Sequence, residues 1–63
     1  MHMPEITVKL VEGRTIEQKR GLVKDITEAL VKNIGSKAEH VTIDIIEYSR
    51  ENKAKDGKLF LDR

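Results

Sequence analysis

Apolar and polar residues alternate from Glu5 to Val11, with Ile6, Val8 and Leu10 on one face and Thr7, Lys9 and Val11 on the other. Period two with β-branched residues predicts a strand. Glu12-Gly13-Arg14 breaks the pattern, and the spacing then changes. Leu22, Val23, Ile26, Ala29, Leu30 and Ile34 recur at intervals of three and four, the stripe of an amphipathic helix. Arg20, Lys24, Glu28 and Lys32 recur every four residues on the opposite, solvated side. Thr15-Ile16-Glu17-Gln18 fits a capping box, and Gly35 stands where a left-handed cap ends a helix, so the helix is predicted over about Ile16 to Asn33.

Ser36 to Glu39 repeats a small capping pattern and predicts a short turn of helix. Val41 to Tyr48 returns to period two, with Val41, Ile43 and Ile45 on one face and Thr42, Asp44, Ile46 and Tyr48 on the other. Asp44 is expected on the less buried face or beside a partner. Strand, long helix, strand is a βαβ unit, whose crossover makes the strands parallel and right-handed. The fold class is therefore α/β. Ser49 to Lys58 is polar and charged, with Asp56-Gly57 as a turn signal. Leu59-Phe60-Leu61 is apolar, and is expected to form a small strand laid on a neighbouring subunit.

The chain has 63 residues, no cysteine, no Trp, one Phe and one Tyr. A single domain of this size is near the lower limit for a solitary core, with no disulfide or thiolate metal site to supplement it. Good patterning with little core predicts a homo-oligomer. Twelve Lys plus Arg against eleven Asp plus Glu gives no strong footprint for nucleic acid. Lys53, Lys55 and Lys58 lack interleaved aromatics for base stacking. No apolar run approaches the roughly 20 residues of a membrane span, and no signal peptide is evident, so a soluble cytoplasmic protein is expected. His2 and His40 have no companion ligands, which argues against a metal site. No Gly-rich phosphate loop is present.

Candidate chemistry gathers near the start. Met3 precedes Pro4, the chain's one proline. Removal of the methionine would leave Pro4 with a free secondary amine, and a free α-amine titrates close to neutrality, at about 8 in reference peptides. Nearby cations and an apolar site lower that value by disfavouring the ammonium form. Such a base can remove a proton and return it elsewhere on the same substrate, which is tautomerisation. Arg14 offers a forked donor pair for a carboxylate.

Pro4 to Arg14, followed by Glu17-Gln18-Lys19, resembles the start of the 4-oxalocrotonate tautomerase family, and the similarity continues through nearly the whole chain. The resemblance implies a βαβ monomer that dimerises into a four-stranded sheet backed by two helices, with three dimers forming a hexamer. It implies cofactor-independent tautomerisation of a small unsaturated 2-oxo or 2-hydroxy acid, with Pro4 as acid/base and Arg14 as carboxylate binder at subunit boundaries. Backbone near Val11 and the loop at Lys53 would shape the pocket.

The sequence departs from the family at two positions. Where the dicarboxylate-processing enzyme has a second arginine early in the second strand, an ungapped alignment puts Thr42. Where it has an aromatic residue in the following loop, this chain has Lys53. Lys53 is a candidate carboxylate-binding cation, and Arg50 is a candidate to reach the site from a neighbouring subunit. An alternative function is a non-catalytic oligomeric small-molecule-binding member of the family. Hydration or dehalogenation by the same proline would need a group to activate water, and none stands out.

Residues 1–3 read as a cloning remnant, Met1-His2, plus an initiator Met3, with the tautomerase-like domain over 4–63. While they remain attached, the Pro4 nitrogen is a non-basic amide nitrogen. The chain bearing them is therefore expected to be inactive or impaired.

Overall fold

The structure is a computed structural model and describes residues 3–63; the reading of Met1-His2 as a remnant lies outside the described residues. Strand β1 (Glu5–Val11) leads into helix α1 (Ile16–Ile34), then a 3₁₀ turn (Ala38–His40) and strand β2 (Thr42–Tyr48). A second 3₁₀ turn (Arg50–Asn52) is followed by two short strands, β3 (Ala54–Lys55) and β4 (Lys58–Leu59), and a last 3₁₀ turn (Phe60–Asp62).

β1 and β2 pair in parallel, with Glu5 opposite Thr42, Val8 opposite Ile45 and Val11 opposite Tyr48. The ladder extends one bond at each end. Thr42 N–H donates to the Pro4 carbonyl at 3.1 Å, and Glu12 N–H to the Tyr48 carbonyl at 2.9 Å. Ile6, Val8 and Leu10 are half-buried while Glu5, Thr7 and Lys9 are exposed, the alternation expected of β1. Asp44 lies on the exposed face, opposite Thr7.

The helix begins where the capping box places it. Thr15 Oγ1 accepts from Gln18 N–H at 3.1 Å, and Gln18 Oε1 accepts from Thr15 N–H at 2.9 Å. It ends one residue later than expected, at Ile34, on Gly35 with φ 72° and ψ 17°. Leu22, Val23, Ile26 and Leu30 are half-buried, but Ala29 and Ile34 remain exposed. The reason is geometric: two strands about 5 Å apart make a sheet narrower than a helix about 10 Å across. No hydrophobic residue among those described is fully buried.

The carboxyl-terminal segment corrects one expectation. Leu59 lies in a two-residue strand, β4, that pairs antiparallel with β3 of the same chain, Ala54 opposite Leu59 and Lys55 opposite Lys58, and its side chain stays exposed. Asp56 (φ 54°) and Gly57 (φ 76°) both adopt left-handed backbone, the requirement of a tight two-residue hairpin turn. Phe60 and Leu61 then lie in a 3₁₀ turn rather than a strand. Phe60 N–H donates to the Lys53 carbonyl at 2.8 Å, and its ring meets Tyr48 edge to face at 6.4 Å and 78°. The radius of gyration is 14.9 Å, against about 10.6 Å for a compact chain of this length. The molecule is elongated, 43 × 24 × 14 Å.

Candidate active site

The sheet divides the candidate residues between its two ends. At one end Pro4 sits just before β1, half-buried, its carbonyl pinned by Thr42 N–H. A proline here costs the sheet nothing, since its nitrogen has no hydrogen to donate. Thr42 is thus brought beside Pro4 by backbone pairing, with an exposed side chain.

The other end carries Val11, Arg14, Arg50 and Lys53. Seven strand residues separate it from Pro4, about 23 Å at strand rise. Pro4 and Arg14 of one chain thus lie toward opposite ends of the sheet. Arg14 borders a groove of about 240 Å³ lined also by Leu10, Gln18, Lys19 and Leu22. Within that groove Lys19 is committed to Glu47 at 2.7 Å, and Gln18 to the helix cap. Arg14 has no ion-pair partner among the described residues, so its fork remains available to an anion. Val11 and Arg50 border a second groove of about 310 Å³, shared with Glu12, Ser49, Glu51 and Leu61.

Lys53 lies over the Tyr48 ring, its Nζ 4.6 Å from the centroid. It is exposed, as is Arg50. In the sequence Lys19 stands out only as part of the opening Glu17-Gln18-Lys19 motif. The structure makes it half-buried and paired across to β2. The signal was there: Lys19 lies three and four residues before Leu22 and Val23, on the same helix stripe.

Residues 4–63 match the Tautomerase family, described as tautomerase enzymes. A probable tautomerase of Bradyrhizobium diazoefficiens is 56% identical over 61 residues, covering 97% of this chain and 91% of that one. The 2-hydroxymuconate tautomerase of Bacillus subtilis is 43% identical over 60 residues, covering 95% and 97%. Among solved structures, YwhB, a homologue of 4-oxalocrotonate tautomerase, superposes with a TM-score of 0.90 at 42% identity, covering 95% of this chain and 98% of that one. The chain belongs to the tautomerase superfamily, in the family of 4-oxalocrotonate (2-hydroxymuconate) tautomerase. Its function is that of a tautomerase, an isomerase-type enzyme. No helix among the described residues is long and apolar enough to cross a membrane.

Proposed function

We propose that the chain beginning at Pro4 interconverts the enol and keto forms of a small unsaturated 2-oxo acid, with the Pro4 amine as acid/base and Arg14 as carboxylate binder. The observation that carries this reading is the place of Pro4 at the head of β1. Its carbonyl is fixed by Thr42 N–H, while its nitrogen takes no part in the ladder. Loss of residues 1–3 would therefore create an amine on a rigid support without disturbing the sheet. The amine takes the proton of the enol hydroxyl or of a carbon next to the carbonyl, and returns one to another carbon of the same conjugated system. No net oxidation occurs and no group leaves. Arg14 holds the carboxylate and draws charge toward it as the dienolate develops.

The span of about 23 Å at strand rise supports a site that takes the two groups from different subunits. An antiparallel meeting of β1 edges from two copies sets the Pro4 end of each against the Arg14 end of the other. That arrangement gives a four-stranded sheet, and it covers the helix stripe that two strands leave half-exposed. The elongated shape and the lack of any fully buried hydrophobic residue among those described support an oligomer. A hexamer of three such dimers, in the cytoplasm, completes the proposal.

The deciding experiment uses two preparations checked by intact mass, one retaining residues 1–3 and one beginning at Pro4. The trimmed protein is expected to convert 2-hydroxymuconate or phenylenolpyruvate, and the untrimmed protein to be inactive or severely impaired. Pro4→Ala in the trimmed form, which exchanges the secondary amine for a primary one, is expected to reduce conversion severely. Activity in protein retaining Met1 would refute the amino-terminal base, whereas full activity in Pro4→Ala, which keeps a primary α-amine, would refute only the need for a secondary amine.

A further inference from the structure

Lys53 lies over the Tyr48 ring and beside Phe60, a ring that Arg63 also approaches at 5.6 Å, and forms no ion pair among the described residues. Its ammonium nitrogen stands 4.6 Å from the Tyr48 centroid and 5.9 Å from that of Phe60. The rings come from different parts of the chain, Tyr48 closing β2 and Phe60 following β4, and they brace each other edge to face. The Lys53 carbonyl is also fixed, accepting from Phe60 N–H at 2.8 Å. Its side chain makes no hydrogen bond or ion pair among the described residues, although Glu12, Glu51 and Asp56 lie on neighbouring segments.

A ring face attracts a cation but offers no conventional acceptor to its three N–H donors. Lys53 is therefore a positioned cation with open donors. Tyr48 is the register partner of Val11, so this ammonium lies at the sheet end from which Arg14 also springs, outside the groove that Arg14 borders. Thr42, at the opposite end, supplies only a neutral hydroxyl.

We propose that Lys53 is a specificity-determining anion anchor of the tautomerase site, taking the second carboxylate of a dianionic 2-oxo acid while Arg14 holds the first. The inference rests on the reading of Pro4 and Arg14 given above. A dianion engages both cations. A monoanion with an apolar tail leaves the ammonium without its partner and places hydrocarbon beside it, so it is selected against. Charge recognition sits in the loop after β2, on an ammonium steadied by aromatic rings.

The test compares Pro4-initiated wild type, Lys53→Met and Lys53→Arg on 2-hydroxymuconate, with two carboxylates, and phenylenolpyruvate, with one. Methionine keeps an apolar stem over Tyr48 and removes the charge. Lys53→Met is expected to lower the dianion-to-monoanion ratio of kcat/KM about tenfold, through KM, and Lys53→Arg to restore most of it. Added salt narrows the wild-type ratio and leaves that of Lys53→Met unchanged. Equal losses on both substrates, or an unchanged ratio, overturn the proposal and leave Lys53 as a peg for the carboxyl-terminal hairpin.

A binding arm separates this inference from the proposed chemistry. Muconate and cinnamate, which need no turnover, are titrated into Pro4→Ala protein with and without Lys53→Met, followed by calorimetry. A muconate preference that Lys53→Met removes supports the anchor even if no substrate is turned over, a result that would sink the proline mechanism alone. No muconate preference with Lys53 in place overturns the anchor, whatever the turnover.

Discussion

Lys19 Nζ lies 2.7 Å from Glu47 Oε1, joining the first turns of α1 to the end of β2 across the helix–sheet interface. The side chains are 24% and 33% exposed, so the pair is partly shielded from water. It also fixes the wall of the groove that Arg14 borders. Glu47→Gln is expected to destabilise the protein by about 1 kcal/mol, discounted from a fully buried pair for solvent screening. Lys19→Met should cost less, because its stem keeps packing. Urea unfolding of both single variants and the double variant, at one protein concentration, measures the coupling. Strict additivity would show that the pair contributes nothing.

Mixed oligomers test the 23 Å separation. Pro4→Ala and Arg14→Ala are each expected to be nearly inactive alone. Unfolding them together and refolding as mixed assemblies should restore a fraction of wild-type activity, because some sites then combine an intact Pro4 with an intact Arg14 from different chains. If no mixture exceeds its parents although mixed species are seen by native mass spectrometry, the site is not shared.

The helix cap is reciprocal, Thr15 and Gln18 each accepting from the other's backbone. Thr15→Ala is expected to cost about 1 kcal/mol. Gln18→Ala should cost less, and the double variant less than the sum of the two. Circular dichroism during denaturation, with the single and double variants side by side, reads this directly.

Ser36 is 4% exposed, and its hydroxyl has no partner among the described residues. A buried hydroxyl without a hydrogen bond bears a desolvation cost. Ser36→Ala is therefore expected to be neutral or stabilising, by up to about 1 kcal/mol. A loss of stability on substitution would show that the hydroxyl finds an acceptor in the assembled protein.

Gly57 has φ 76° beside Asp56 at φ 54°, and that turn returns the chain so that Phe60 reaches Tyr48. Gly57→Ala is expected to cost about 1 kcal/mol. It should loosen the hairpin before the rest of the fold. Limited proteolysis should cut within residues 54–59 of the variant faster than in wild type, while the helix signal persists.

What the sequence made legible was local. Thr15, Gln18 and Gly35 mark the helix ends because capping is a matter of neighbouring backbone groups. The alternation of Ile6, Val8 and Leu10 reports a strand with one covered face. Asp56-Gly57 was readable as a turn. Its consequence was not, because pairing Leu59 with Ala54 depends on two consecutive left-handed residues. The partnership of Lys19 with Glu47 needs the register that sets Leu10 opposite Glu47, a non-local fact. Ala29 and Ile34 carry the helical period, yet the sheet is too narrow to cover them. Pro4 and Arg14 stood out through a contiguous segment, and the length of β1 fixes their separation. The rings that steady Lys53 are 5 and 7 residues away along the chain, and only the folded hairpin closes them around it.

The absence of any fully buried hydrophobic residue among those described bears on the economy of expression. If Leu22, Ile26 and Leu30 reach full burial only against other copies, the folded state depends on more than first order in chain abundance. Dilution then acts as a denaturant, and a small rise in synthesis near the threshold produces a disproportionate rise in working sites. Activity would track gene dosage through a sill, with little below it and proportional output above.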